Sequence, residues 1–231
     1  MSTFKILDGA MGSELIRWGM ELPEHVWSAA ANLTKPELVL EIHREYVDAG
    51  ADYITANTFR TTPRTFGKID GLVTECSSQA LPRDVEVNKK EAVIKSRNSL
   101  FTAVELAKEA ATNSVKVLGS IASLEDCYSP ELFPGKNTAI TEFRQLGGWL
   151  SDAGVDILLL ETMNSIAEAE AGLIALQSFE LPIWVSFVMK DDEHLLSGDL
   201  LLDALTLLQD HSVNTVLLNC NPLQRTEKAM I

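Results

Sequence analysis

The sequence is short of cysteine, of net positive charge and of long apolar runs. Its three cysteines, Cys76, Cys127 and Cys220, are too few for a disulfide framework. That points to a reducing compartment, the cytoplasm. Lys and Arg number 19 against 33 Asp and Glu, a formal net charge of -14. Nucleic acids and anionic membranes are held by clustered Lys and Arg, so neither is expected as a partner. No apolar run reaches the roughly 20 residues of a membrane span. Met1-Ser2-Thr3-Phe4-Lys5 lacks the basic start and apolar core of a signal peptide. No glycine-rich nucleotide-binding motif occurs.

What is present is ordinary globular composition, 46% hydrophobic and 23% charged over 231 residues, enough for one large α/β domain or two small ones. Short apolar runs alternate with helical patterns. Lys5-Ile6-Leu7 reads as a strand ending in Asp8-Gly9-Ala10-Met11-Gly12, followed by a short helix to Gly19. Thr34-Lys35-Pro36-Glu37 reads as a capping box opening a helix that Gly50 ends. His43 lies near its apolar face and reads as packed rather than catalytic. Asp52 to Phe59 is the next strand. A helix stopping at glycine and running into a strand is the joint of a βαβ unit, and it recurs. From Arg60 to Asn98 the pattern weakens: two proline breakers, then a charged stretch from Glu86 to Arg97 that reads as solvated helix or loop. A helix resumes at Ser99. Further strands are expected at Val115–Ala122, Val155–Thr162, Ile183–Met189 and Val213–Leu218. The long loop from Ser123 to Asn137 carries Cys127. Ser165-Ile166-Ala167-Glu168 is a second capping box. Six such βα units suggest an α/β fold of the TIM (β/α)8 barrel type, with its site at the strand C-termini.

The chemistry-bearing residues collect there. Asp8 and Glu161 end strands, and Cys220 follows the last apolar run. Each has a plain alternative: a turn residue or helix cap for Asp8, a small buried hydrophobe for Cys220. The acidic loop Asp191-Asp192-Glu193 reads as solvated rather than metal-binding. Cys76, in polar surroundings, is given no role.

Several segments are more specific in combination. Asp8-Gly9-Ala10-Met11-Gly12-Ser13-Glu14-Leu15, Leu33-Thr34-Lys35-Pro36-Glu37 with Ile42-His43 and Tyr46, and Ala49-Gly50-Ala51-Asp52 before Asn57-Thr58-Phe59 resemble the homocysteine S-methyltransferase family. Gly119-Ser120-Ile121, Asp152-Ala153-Gly154-Val155-Asp156 with Leu160-Glu161-Thr162, and Asn219-Cys220 continue the resemblance in order. It covers nearly the whole chain apart from about Lys68 to Arg97. The resemblance implies methyl transfer from a small-molecule donor to the zinc-activated thiolate of homocysteine, giving methionine. Zinc held by three thiolates leaves a fourth position for the substrate sulfur. By the same resemblance Asp8 and Glu161 hold the homocysteine amino group, Gly9 and Thr58 contact the substrate, and Cys220 is the first zinc ligand. Asn219 orients the loop beside it.

The sequence departs from the family in one respect. The adjacent Cys pair that supplies the other two thiolates is not present, nor are segments for strands seven and eight. Residues 1–231 are thus expected to be a single homocysteine-binding, barrel-type domain, incomplete at its C-terminus. An oligomer or partner chain is expected to cover the open barrel edge. The competing expectation is a non-catalytic homocysteine- or amino-acid-binding protein, or an interaction protein, that has lost the complete zinc site.

Overall fold

The computed structural model describes residues 4–69, 82–112 and 114–229; Cys76 lies outside them. It divides into two compact units. One comprises Met1–Gly119 with Asp152–Val155, the other Ser120–Ser151 with Asp156–Ile231. The strands are β1 (Tyr53–Ala56), β2 (Lys116–Ala122), β3 (Ile157–Met163), β4 (Ile183–Phe187) and β5 (Val216–Leu218). They form a parallel sheet whose order, β1-β2-β3-β4-β5, is the order of the chain. With helices between successive strands, this is part of a TIM-type α/β barrel. The six expected strands are therefore five strands and a bridge. The first run forms only a parallel bridge, Leu7 to Tyr53, because Asp8 and the helix after it turn the chain away at once.

In the first unit, β1 pairs with the first half of β2, from Tyr53 with Lys116 to Ala56 with Gly119. Its helices are α1 (Met11–Arg17), α2 (Ala31–Thr34), α3 (Pro36–Asp48), α4 (Pro63–Ile69) and α5 (Pro82–Ala110). Both prolines that break the pattern at 63 and 82 open helices, where a missing N–H costs nothing. The stretch from 86 to 97 resolves as helix: α5 runs unbroken for 29 residues. The first capping box does not form. Residues 27–34 are already helical, so Thr34 ends α2 and its hydroxyl donates to Ala30 O (2.9 Å). Lys35 is the N-cap of α3 and gives no side-chain cap. The apolar face of α3 buries Val39 and Ile42 against Met11, Leu15 and Ala31. Gly50, at φ +97, ends the helix and turns directly toward β1.

In the second unit the remainder of β2 continues into β3, β4 and β5, with α6 (Lys136–Ala153, whose last two residues join the first unit), α7 (Ile166–Leu176), α8 (Leu201–Asp210) and α9 (Leu223–Ala229). β3 is buried at six of its seven positions, as expected of a parallel strand covered on both faces. The second capping box half forms. Ser165 accepts from Glu168 N (3.3 Å), but the Glu168 carboxylate turns inward and accepts from Leu124 N (2.8 Å). Gly172 lets α7 lie close to β3: a Cβ there would stand 2.7 Å from Leu160.

Candidate functional site

In the second unit the candidate residues sit where the parallel ladder is interrupted. Leu160 pairs with Val185 and Met163 with Phe187, so three steps on β3 oppose two on β4. The extra residue makes a bulge occupied by Glu161 and Thr162. Thr162 lies at φ +59. A β-branched residue in that region is an outlier costing on the order of 1–3 kcal/mol. Buried contacts hold it there: Ser123 Oγ donates to its carbonyl (3.0 Å). Glu161 is half-buried, and the Ser120 hydroxyl donates to its Oε2. Burial raises its carboxyl above the ordinary value, and the Ser120 hydrogen bond works against that rise.

Cys220 follows β5, exposed and also left-handed at φ +54. The Asn219 carboxamide donates from Nδ2 to Cys220 Sγ (3.5 Å) and to Thr162 Oγ1 (2.7 Å), and accepts at Oδ1 from Ser186 (2.7 Å). Tyr128, from the long loop after β2, places its hydroxyl on the same sulfur. Its phenol is pushed up to about 12, first by burial and then by that hydrogen bond. Cys127 beside it is buried, and its carbonyl accepts from Asn164 Nδ2 (3.3 Å). Of the expected residues, this unit therefore brings Glu161 and Cys220 to one sheet end, linked through Thr162 and Asn219. Ser120, Ser186 and Tyr128 join them. Sequence reasoning missed these three; alternation along β4 could have pointed Ser186 to one face, but nothing local marks Tyr128.

In the first unit Asp8 is half-buried at the start of the bridge. Thr55 donates to it twice, from N to Oδ2 (2.7 Å) and from Oγ1 to Oδ1 (3.0 Å). Gly9 is exposed and faces Tyr46: an added Cβ would meet the Tyr46 hydroxyl at 2.7 Å. That phenol is pushed up to about 12 by burial, then by the charges of Glu14 and Asp8. Thr58 is buried, with its hydroxyl donating to Ala56 O (3.3 Å). Asn57 proves architectural. It donates to Ser28 O and Asn32 Oδ1 (both 2.8 Å), while Asn32 donates to Asn57 O (2.9 Å) and Ser99 Oγ (3.0 Å). His43 is fully buried, and neither ring nitrogen has a hydrogen-bond partner among the described residues. Burial lowers its pKa to about 4.

A model of the homocysteine S-methyltransferase family matches residues 5–230. The chain belongs to that family. It is 30% identical to homocysteine S-methyltransferase 2 of Zea mays, over 94% of this chain and 66% of that protein. It is also 30% identical to the homocysteine S-methyltransferase of Escherichia coli K12, over 97% of this chain and 72% of that one. The metallated crystal structure of the homocysteine methyltransferase MmuM from E. coli superposes with a TM-score of 0.80 at 28% identity, covering 98% of this chain and 78% of that chain. The chain thus spans roughly two thirds to three quarters of the relatives it matches.

The side chains do not make a zinc centre by themselves. No group of three or more His, Cys, Asp or Glu among the described residues could hold a metal. Cys220 offers one thiolate, where a catalytic zinc site takes three protein ligands. The acidic loop is no substitute. Asp191 accepts from the backbone N–H of Glu193 (3.0 Å) and His194 (2.9 Å) and pairs with the His194 ring, which lowers its pKa to about 2. Among the described residues no helix is long and apolar enough to cross a membrane.

Proposed function

We propose that this chain binds homocysteine and takes part in methyl transfer from a small-molecule donor to its sulfur, giving methionine. The observation that carries this reading is the family match over residues 5–230, joined to carboxylates and a thiol at strand ends. Residues 1–231 are read as one barrel-type, homocysteine-binding domain. Asp8 and Glu161 accept hydrogen bonds from the substrate ammonium, which needs anionic acceptors. Thr55 fixes both oxygens of Asp8, and Ser120 fixes one oxygen of Glu161. Gly9 offers a backbone N–H and Thr58 a further polar contact. Cys220 is read as one zinc thiolate. Zinc would supply activation of the substrate thiol as its thiolate, but no step is assigned to it, since the remaining ligands are not among the described residues.

The test is calorimetric titration of L-homocysteine into the wild-type chain, D8N and E161Q. A charge-assisted hydrogen bond contributes about 1.5–3 kcal/mol, so each variant should bind roughly 10- to 150-fold more weakly. Unchanged affinity in both would overturn the assignment. The wild-type affinity should also fall on acidification sooner than an ordinary carboxyl requires. Glu161 must be ionised to hold an ammonium, and its pKa is raised, so its protonation sets in at higher pH. E161Q should lose that part of the pH profile.

A further inference from the structure

We propose that Asn219 is a positioning residue: its carboxamide, clamped by Ser186 and Thr162, points one N–H at Cys220 and holds that sulfur in a single orientation. The inference rests on the reading of Cys220 as the thiol the site uses. Three observations carry it. First, Asn219 reaches the C-terminal ends of three successive strands at once: Thr162 on β3, Ser186 on β4, and its own position one residue past β5. Second, the clamp decides which way the amide faces. The Ser186 hydroxyl donates to Oδ1, leaving Nδ2 with two hydrogens and two acceptors, Thr162 Oγ1 and Cys220 Sγ. Thr162 is fully buried and Ser186 is 1% exposed, so neither can swing away to water. Third, the two residues joined through this amide, Thr162 and Cys220, are both non-glycine residues with left-handed backbones. Strained residues persist where their surroundings over-determine them, and Asn219 is the side chain common to both. An exposed cysteine side chain would otherwise move among its staggered χ1 wells.

The decisive variant is Asn219→Asp. Its carboxylate still accepts from Ser186 and from the Thr162 hydroxyl turned around, so the bridge between strands survives. Only the N–H toward sulfur is lost. The readout is the pair of Hα–Hβ couplings of Cys220, measured by NMR on the reduced protein, with thermal unfolding in parallel. Wild type should show one large and one small coupling, the mark of a single χ1. N219D should unfold within a few degrees of wild type yet show two averaged couplings. Asn219→Ala should average them too. A single χ1 retained in N219D overturns the proposal, since the backbone alone would then fix the sulfur. Averaged couplings in wild type overturn it as well, and that measurement needs no variant to fold. Titration of L-homocysteine into wild type separates the two readings. Absence of binding would count against the proposed function, while the couplings decide the role of Asn219 by themselves.

Discussion

Single side chains set hard limits around the first strand end. Gly9 has no room for a methyl group, because the Tyr46 hydroxyl and the ring carbons Cε1 and Cζ stand 2.7 and 3.1 Å from where a Cβ would sit. Gly9→Ala should therefore cost roughly 1–3 kcal/mol. The cost should shrink in a Tyr46→Leu background, a coupling that a double-mutant cycle in urea would measure. His43 sets a limit of another kind. Its pKa is about 4 in the fold against 6.5 when unperturbed, so between those values the unfolded chain binds the extra proton. Stability should be at its full value above pH 6.5 and fall as pH drops toward 4, by on the order of 3 kcal/mol. His43→Leu should flatten that part of the curve. The sequence places His43 on an apolar face by its helical spacing. The orphaned ring nitrogens are set by what packs over that face, which spacing alone does not report.

Among the elements, two capping boxes of similar sequence behave differently. Ser165 is extended and caps α7, so Ser165→Ala should cost about 1 kcal/mol. Thr34 is already helical and caps nothing, so Thr34→Ala should cost little; thermal unfolding of the pair distinguishes them. The difference shows what the sequence can carry. Apolar periodicity places β1 to β5 and α3, α6, α7 and α8, because burial enforces the pattern. The glycine joints at 50 and 154 are legible because only a left-handed turn fits there. Caps depend on the residue before them, and the helical run from 27 to 34 has no strong signature. The same holds at the site. Asp8, Glu161 and Cys220 are legible as polar residues closing apolar runs. Tyr128 reaches Cys220 from about ninety positions away, and only the folded loop brings it there.

For the whole molecule, family membership and a complete zinc site are separate matters. The family match spans residues 5–230, while the described side chains provide one thiolate at the sheet end and no three-ligand cluster. The chain purified under reducing conditions should carry well below one zinc per molecule, and Cys220→Ser should carry still less. Elemental analysis by mass spectrometry would read both, and a full equivalent in wild type would mean ligands outside this account. The two left-handed residues, Thr162 and Cys220, carry a consequence for how such a chain drifts. Glycine or asparagine would relieve their backbones, so a population selected for folding alone should exchange them early. One held to its chemistry should keep both and tolerate the cost. The residues found at 162 and 220 in a lineage would then record whether its site is still in use.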